Sequence, residues 1–148
     1  MVTITTLEES DRDPWQALFQ AYLHFYGRDP GPALYDRAWR EFRSGARMHA
    51  LGARLGDELV GITHYFVHPS TSGRDVCYLQ DLFTAPHARG QGVGRALIEA
   101  VAAWAAERDC SKVYWQTQEG NTTARRLYDA VANYSGFVVY DLPLSPRS

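Results

Sequence analysis

Apolar residues fall along this chain in two alternating rhythms. Trp15, Leu18, Phe19, Tyr22 and Leu23 recur at the spacing of one helix face, and Asp13-Pro14 supplies a start, because proline is tolerated in the first helical turn. Gly27 to Pro32 breaks that helix, and a second is predicted from about Ala33 to Phe42. Val2 to Leu7 reads as a short edge strand with Val2 and Ile4 on one face. Met48 to Leu55 and Leu59 to Val67 read as two antiparallel strands turning at Gly56-Asp57-Glu58, and Val76 to Thr84 as a third strand after the turn Pro69 to Gly73. Strands then alternate with helices. A helix opens near Gly92 and runs to about Arg108, with Val93, Leu97, Ala100, Val101 and Trp104 on one face. Lys112 to Thr117 is a strand, Thr122 to Asn133 a helix, and Phe137 to Asp141 a last strand. A meander followed by β-α-β-α-β implies an α/β fold, a mixed sheet with helices on both faces.

Composition narrows this picture only a little. The chain has 148 residues, of which 45% are hydrophobic and 22% charged, as expected of one globular domain. We expect that domain to span residues 1–142, followed by a loose tail over 143–148. A net charge of -2 gives no basic excess for nucleic acid. No apolar run reaches the roughly 20 residues needed to cross a bilayer, and the first residues lack the basic and apolar regions of a signal peptide. A cytoplasmic protein is the expectation. Cys77 and Cys110 form no disulfide framework, and no metal-ligand spacing appears among the histidines, so no metal is expected.

The chemistry concentrates in Arg89-Gly90-Gln91-Gly92-Val93-Gly94-Arg95, between a strand and a helix. Glycines let the backbone approach a ligand, and a helix N-terminus offers unpaired N–H groups and the positive end of the dipole to an anion. The dinucleotide fingerprint needs a third glycine where Arg95 or Leu97 stands. The Walker A loop needs a lysine that follows neither Gly92 nor Gly94. Both of those readings fail on spacing. A plain glycine-rich connection remains the bland alternative.

The segment from Tyr78 to Gly94 resembles the core motif of the GCN5-related N-acetyltransferases, in which Arg89, Gly92 and Gly94 match the family pattern. The likeness extends through Asn121 to Tyr128 and Ser135 to Phe137, and is nearest to the polyamine- and histone-type branch. It implies a mixed, centrally splayed sheet and acetyl-CoA as cosubstrate. The pyrophosphate would be held by Arg89, Gly90, Gln91, Gly92, Val93, Gly94 and Arg95, and the pantetheine arm would pair with Leu82, Phe83 and Thr84. A backbone N–H near Leu82 would form the oxyanion hole where two parallel strands splay. It implies an N-acetyltransferase acting on a primary amine, with Tyr128 protonating the departing thiolate and Asn121 both capping its helix and touching the coenzyme. Polyamines, small amines, amino-acid-like metabolites and lysine side chains are the acceptor candidates. A homodimer through Phe137 to Tyr140 is implied by analogy.

An amine with pKa about 10.4 is neutral in roughly one molecule in a few thousand at pH 7, so its proton must be removed. Asp81 is a proton acceptor or an anionic wall in one reading and a structural carboxylate in the other. Gln80 stands where related polyamine enzymes carry Glu, and an amide is no base. His24, Tyr26, His64, Tyr65 and His68 lie on or beside candidate acceptor loops, though for each the plain reading is packing or a solvated loop. No nucleophile for an acyl-enzyme is evident, so transfer in a ternary complex is expected. The rival is a coenzyme A-binding sensor that has lost activity.

Overall fold

The computed structural model describes residues 1–147. Ser148, the end of the expected tail, lies outside the described residues. The chain divides into two compact units, one up to Gln116 and one from Thr117 onward.

In the first unit, five strands form one sheet in the order β1-β2-β3-β4-β5. They are β1 (Val2–Thr5), β2 (His49–Leu55), β3 (Glu58–His68), β4 (Val76–Thr84) and β5 (Val113–Tyr114). The first four pair antiparallel and β5 joins β4 in parallel, which makes the sheet mixed. Gly56, at φ 62°, allows the two-residue turn that sets Leu55 opposite Glu58. Helices α1 (Arg12–Phe25) and α2 (Pro32–Ser44) cover one face, and α3 (Val93–Glu107) covers the other.

Each helix is fixed by the apolar stripe it buries. Trp15, Phe19 and Leu23 of α1 and Tyr35 and Trp39 of α2 pack on Leu59, Ile62 and Phe83. Trp15 is fully buried and its ring meets Phe19, Tyr35, Trp39 and Phe42. On the opposite face, Val93 and Leu97 of α3 pack on Ala53 and Val60, with Val2, Ile4 and Leu82 beside them. Gly61 permits this approach, since a Cβ there would lie 2.6 Å from Val93 Cγ1.

The second unit contains one helix, α4 (Thr122–Val131). The Asn121 side chain accepts a hydrogen bond from the Ala124 N–H at 3.3 Å, so the expected cap is present. Ala124, Leu127, Tyr128 and Val131 are the half-buried stripe of α4. Two sequence expectations require correction. The strand over Lys112 to Thr117 shortens to Val113–Tyr114, and Phe137 to Asp141 is not a strand. A strand exists only through ladder hydrogen bonds to a neighbour, and no sheet strand among the described residues pairs with this segment. Phe137, Val138, Val139, Tyr140, Leu142 and Leu144 are all exposed.

Candidate active site

The local geometry of β4 sets the site. Leu79 stands opposite Tyr65 and Asp81 opposite His64, so Gln80 is an extra residue with no partner on β3. Thr63 Oγ1 donates to the Asp81 carbonyl at 2.8 Å and pins this bulge. The bulge changes which backbone groups face outward. Before it, the Cys77 N–H donates to Lys112 on the β5 side at 3.0 Å; after it, the Ala85 N–H donates to Val60 on the β3 side at 2.8 Å. Alternation back from Ala85 turns the N–H groups of Thr84 and Leu82 to the outer edge. There β5 has already ended, because it pairs only with Cys77 and Tyr78. Among the described residues no sheet strand pairs with Leu79 to Thr84 on that side, so the β4–β5 ladder stops where the two parallel strands were expected to splay.

Beyond this edge a short turn leads into the glycine loop. Gly90 and Gly92 have φ 80° and 81°, a region that disfavours side chains, and no side chain caps the α3 N-terminus. Arg89, Gln91 and Arg95 are exposed around it, and the Arg89 guanidinium lies 5.8 Å from the Phe83 ring centroid. Val93 is buried, which anchors the first turn of the helix to the sheet. The arrangement fits a pyrophosphate: free N–H donors, flexible cations and no anion to repel it within the loop itself.

The bulge also sends Asp81 to the face covered by α1 and α2. His64 Nδ1 lies 2.9 Å from Asp81 Oδ2, and Trp15 Nε1 lies 3.0 Å from His64 Nε2. An indole N–H can only donate, so Nε2 must accept and the His64 proton sits on Nδ1, donating to the carboxylate. His64 is 1% exposed, whereas the Asp81 side chain is 16% exposed. Asp81 and His64 line a cavity of about 180 Å³ whose other walls include Phe19, Ala38, Phe42 and Met48. Arg37 and Glu41 also border it, and Glu41 is ion-paired with Arg47. A larger cavity of about 280 Å³, lined by Trp39, His49, Tyr65 and Trp104, includes neither Asp81 nor the glycine loop.

Of the front-half residues singled out in the sequence, only His64 is joined to Asp81. Tyr65 is buried on the opposite face against His49 and Trp104, and burial pushes its phenol up to about 12. His68 bonds Tyr114 at 2.8 Å, His24 is exposed, and Tyr26 packs on Tyr22 and Phe25. Trp15 was read from the sequence as a packing residue alone. No local signal marks its bond to a histidine 49 positions away. Burial pushes the Cys77 thiol up to about 11 and raises Cys110 as well, so neither is a thiolate nucleophile at neutral pH. Among the described residues, no group of three or more His, Cys, Asp or Glu is placed to hold a metal ion, and no helix is long and apolar enough to cross a membrane.

A mixed sheet whose parallel ladder stops short, leading to a glycine loop at a helix start, defines the acyl-CoA N-acyltransferase class. The model of the acetyltransferase (GNAT) family matches residues 13–134, and the chain belongs to that family. It is 32% identical over 146 residues to D-amino-acid N-acetyltransferase HPA3 of Saccharomyces cerevisiae, covering 94% of this chain and 89% of that protein. It is 36% identical over 80 residues to thialysine N-epsilon-acetyltransferase of Mus musculus, covering 53% of this chain and 46% of that one. Its fold matches that of aminoglycoside N-acetyltransferase AAC(6')-Iy in complex with CoA, with TM-score 0.84 at 17% identity over 97% of this chain and 95% of that chain. The protein is thus an acetyl-CoA-dependent N-acetyltransferase.

Proposed function

We propose that this enzyme transfers acetyl directly from acetyl-CoA to a primary amine within a ternary complex. The observation that carries this reading is the stretch of β4 beyond β5 with no sheet strand on that side among the described residues, and with the Leu82 N–H turned outward one residue from Asp81. Arg89 to Arg95 hold the pyrophosphate, and Leu82, Phe83 and Thr84 pair with the pantetheine arm. The thioester carbonyl then lies where the Leu82 N–H stabilises its developing oxyanion. Asp81 takes one proton from the ammonium group. The amine lone pair attacks the carbonyl, the C–S bond breaks, Tyr128 protonates the departing thiolate, and the second proton of the former amine passes from the nitrogen through solvent to the Tyr128 phenolate, leaving a neutral amide and a neutral thiol. Asn121 adds a contact to the coenzyme arm.

Gln80 is exposed at the bulge and offers no base, which weakens the case for a polyamine acceptor. Relatives named for D-amino-acid and thialysine substrates support amino-acid-like amines ahead of polyamines. The exposed apolar run from Phe137 to Leu144 supports a homodimer in which this segment is covered.

Thiol release from acetyl-CoA, measured over a panel of amino acids, polyamines and lysine peptides, tests the function. We expect amine-dependent release with intersecting, sequential kinetics. Tyr128→Phe should lower kcat by about 10²- to 10⁴-fold with acetyl-CoA affinity nearly unchanged. Ping-pong kinetics would contradict the ternary complex. Tight acetyl-CoA binding with no amine-dependent release would instead identify a coenzyme A sensor.

A further inference from the structure

Three side chains from distant parts of the chain form a line that ends in the cavity. Trp15 comes from α1, His64 from the middle of β3 and Asp81 from the β4 bulge. The distances are 3.0 Å from indole to imidazole and 2.9 Å from imidazole to carboxylate. Trp15 and His64 are 0% and 1% exposed. His64 Nδ1 is both a hydrogen-bond and an ion-pair partner of Asp81 Oδ2.

We propose that Trp15 and His64 are a buried positioning chain for Asp81, the indole N–H locking His64 in its Nδ1–H tautomer so that the carboxylate is held by Oδ2 and receives the amine proton on Oδ1. The inference rests on the reading of Asp81 as the proton acceptor of the transfer.

The direction of the chain follows from donor and acceptor chemistry. Free imidazole can carry its proton on either nitrogen, and one of the two choices would aim a lone pair at the carboxylate. Trp15 removes that choice. Packing then removes rotation of the ring: Phe42 stacks on His64 with centroids 4.4 Å apart, and Phe19 meets it edge-on at 4.8 Å. A carboxylate otherwise turns readily about its last torsion, and a loosely held one spends little time aligned with the amine. No proton needs to reach His64 during turnover. The ammonium N–H bond breaks, the Asp81 O–H bond forms, and that proton leaves to solvent after the product departs.

Two measurements test the chain separately from the function. Long-range 1H–15N correlation spectra of the intact protein at neutral pH should show His64 protonated on Nδ1 and not on Nε2. An Nε2–H tautomer, or an imidazolium, overturns the inference whatever the activity. Kinetics are then followed with lysine and with spermidine as acceptors. Trp15→Phe keeps an aromatic ring at this position but removes the N–H together with the five-membered ring, so its unfolding free energy is measured alongside, and His64→Asn separates loss of the hydrogen bond from loss of packing. Trp15→Phe should lower kcat by about 10- to 100-fold with acetyl-CoA affinity unchanged. His64→Asn, which retains a donor near the Nδ1 position, should keep more activity than His64→Leu. If His64→Leu does not fold, Trp15→Phe and His64→Asn decide the matter. Asp81→Asn should be the most damaging of the set. Loss of activity in Asp81→Asn, with Trp15→Phe and His64→Asn both at full kcat, would overturn the positioning chain alone. Full activity in Asp81→Asn would overturn the Asp81 reading and the chain together.

Discussion

Gly61 and His64 lie three residues apart on β3 and serve opposite faces of one sheet. On the α3 face, Gly61 makes room for Val93, and the loop that follows from this packing presents backbone N–H groups and positive-φ glycines. On the α1 and α2 face, His64 joins Trp15 to Asp81, and the cavity there is built from side chains. Under the proposed reading these are the donor and acceptor sides of the reaction. The donor is one molecule with a fixed pyrophosphate, and a main-chain cradle recognises it with little need of particular side chains. The acceptors named for relatives differ, and a cavity walled by side chains can be reshaped one residue at a time, as a main-chain cradle cannot.

That difference also governs what a reader of the sequence can see. The donor side is contiguous, so Arg89 to Arg95 and the apolar stripe of α3 lie together in the chain, and the start and end of that helix were legible to within one residue. The acceptor side joins residues 15, 64 and 81, and depends on a bulge at Gln80 that no residue type announces. Strict alternation along β4 would place Asp81 on the same face as Cys77 and Leu79, against α3. The extra residue reverses this and pairs Asp81 with His64. The misread strand over Phe137 to Asp141 has a related cause. Its β-branched and aromatic residues meet the local criterion, but a strand needs a partner, which no local pattern supplies.

If the α3 face depends on backbone approach, a single methyl group should matter there. Gly61→Ala places a Cβ 2.6 Å from Val93 Cγ1 and 3.2 Å from Leu97 Cδ1. Valine is stiff about χ1 and cannot swing aside. The expected loss is about 1–3 kcal/mol, measured by denaturant unfolding, together with weaker acetyl-CoA binding as the start of α3 is displaced. The double variant Gly61→Ala/Val93→Ala should recover at least about 0.5 kcal/mol relative to the sum of the single changes. Strict additivity would show that the two residues are not in close contact.

The same methyl at Gly92 should act by another mechanism and by a smaller amount. A Cβ there meets nothing within 4 Å, but φ is 81°. Gly92→Ala should therefore cost about 1–2 kcal/mol through backbone strain alone. Val93→Ala should not relieve it. Rescue by Val93→Ala would mean that crowding, and not backbone conformation, selects glycine at this position.

The smallest effect concerns a second histidine, His49, which pairs across the ladder with Tyr65 on the α3 face. His64 has a polar partner on each ring nitrogen, whereas His49 packs against the rings of Tyr65 and Trp104. Burial, then the nearby Arg108 cation, lowers its pKa from the ordinary value of 6.5. The neutral form is thus favoured in the fold, and below that value the unfolded chain takes up the proton more readily than the folded one. Stability from this group is complete above about pH 6.5 and falls as the pH drops below it. Unfolding free energies of the native protein and of His49→Gln, compared across pH 5 to 8, should diverge on that sign, the native protein losing more on the acid side. Parallel curves would show that His49 titrates alike in both states, and that the α3 face admits a charge as readily as solvent does.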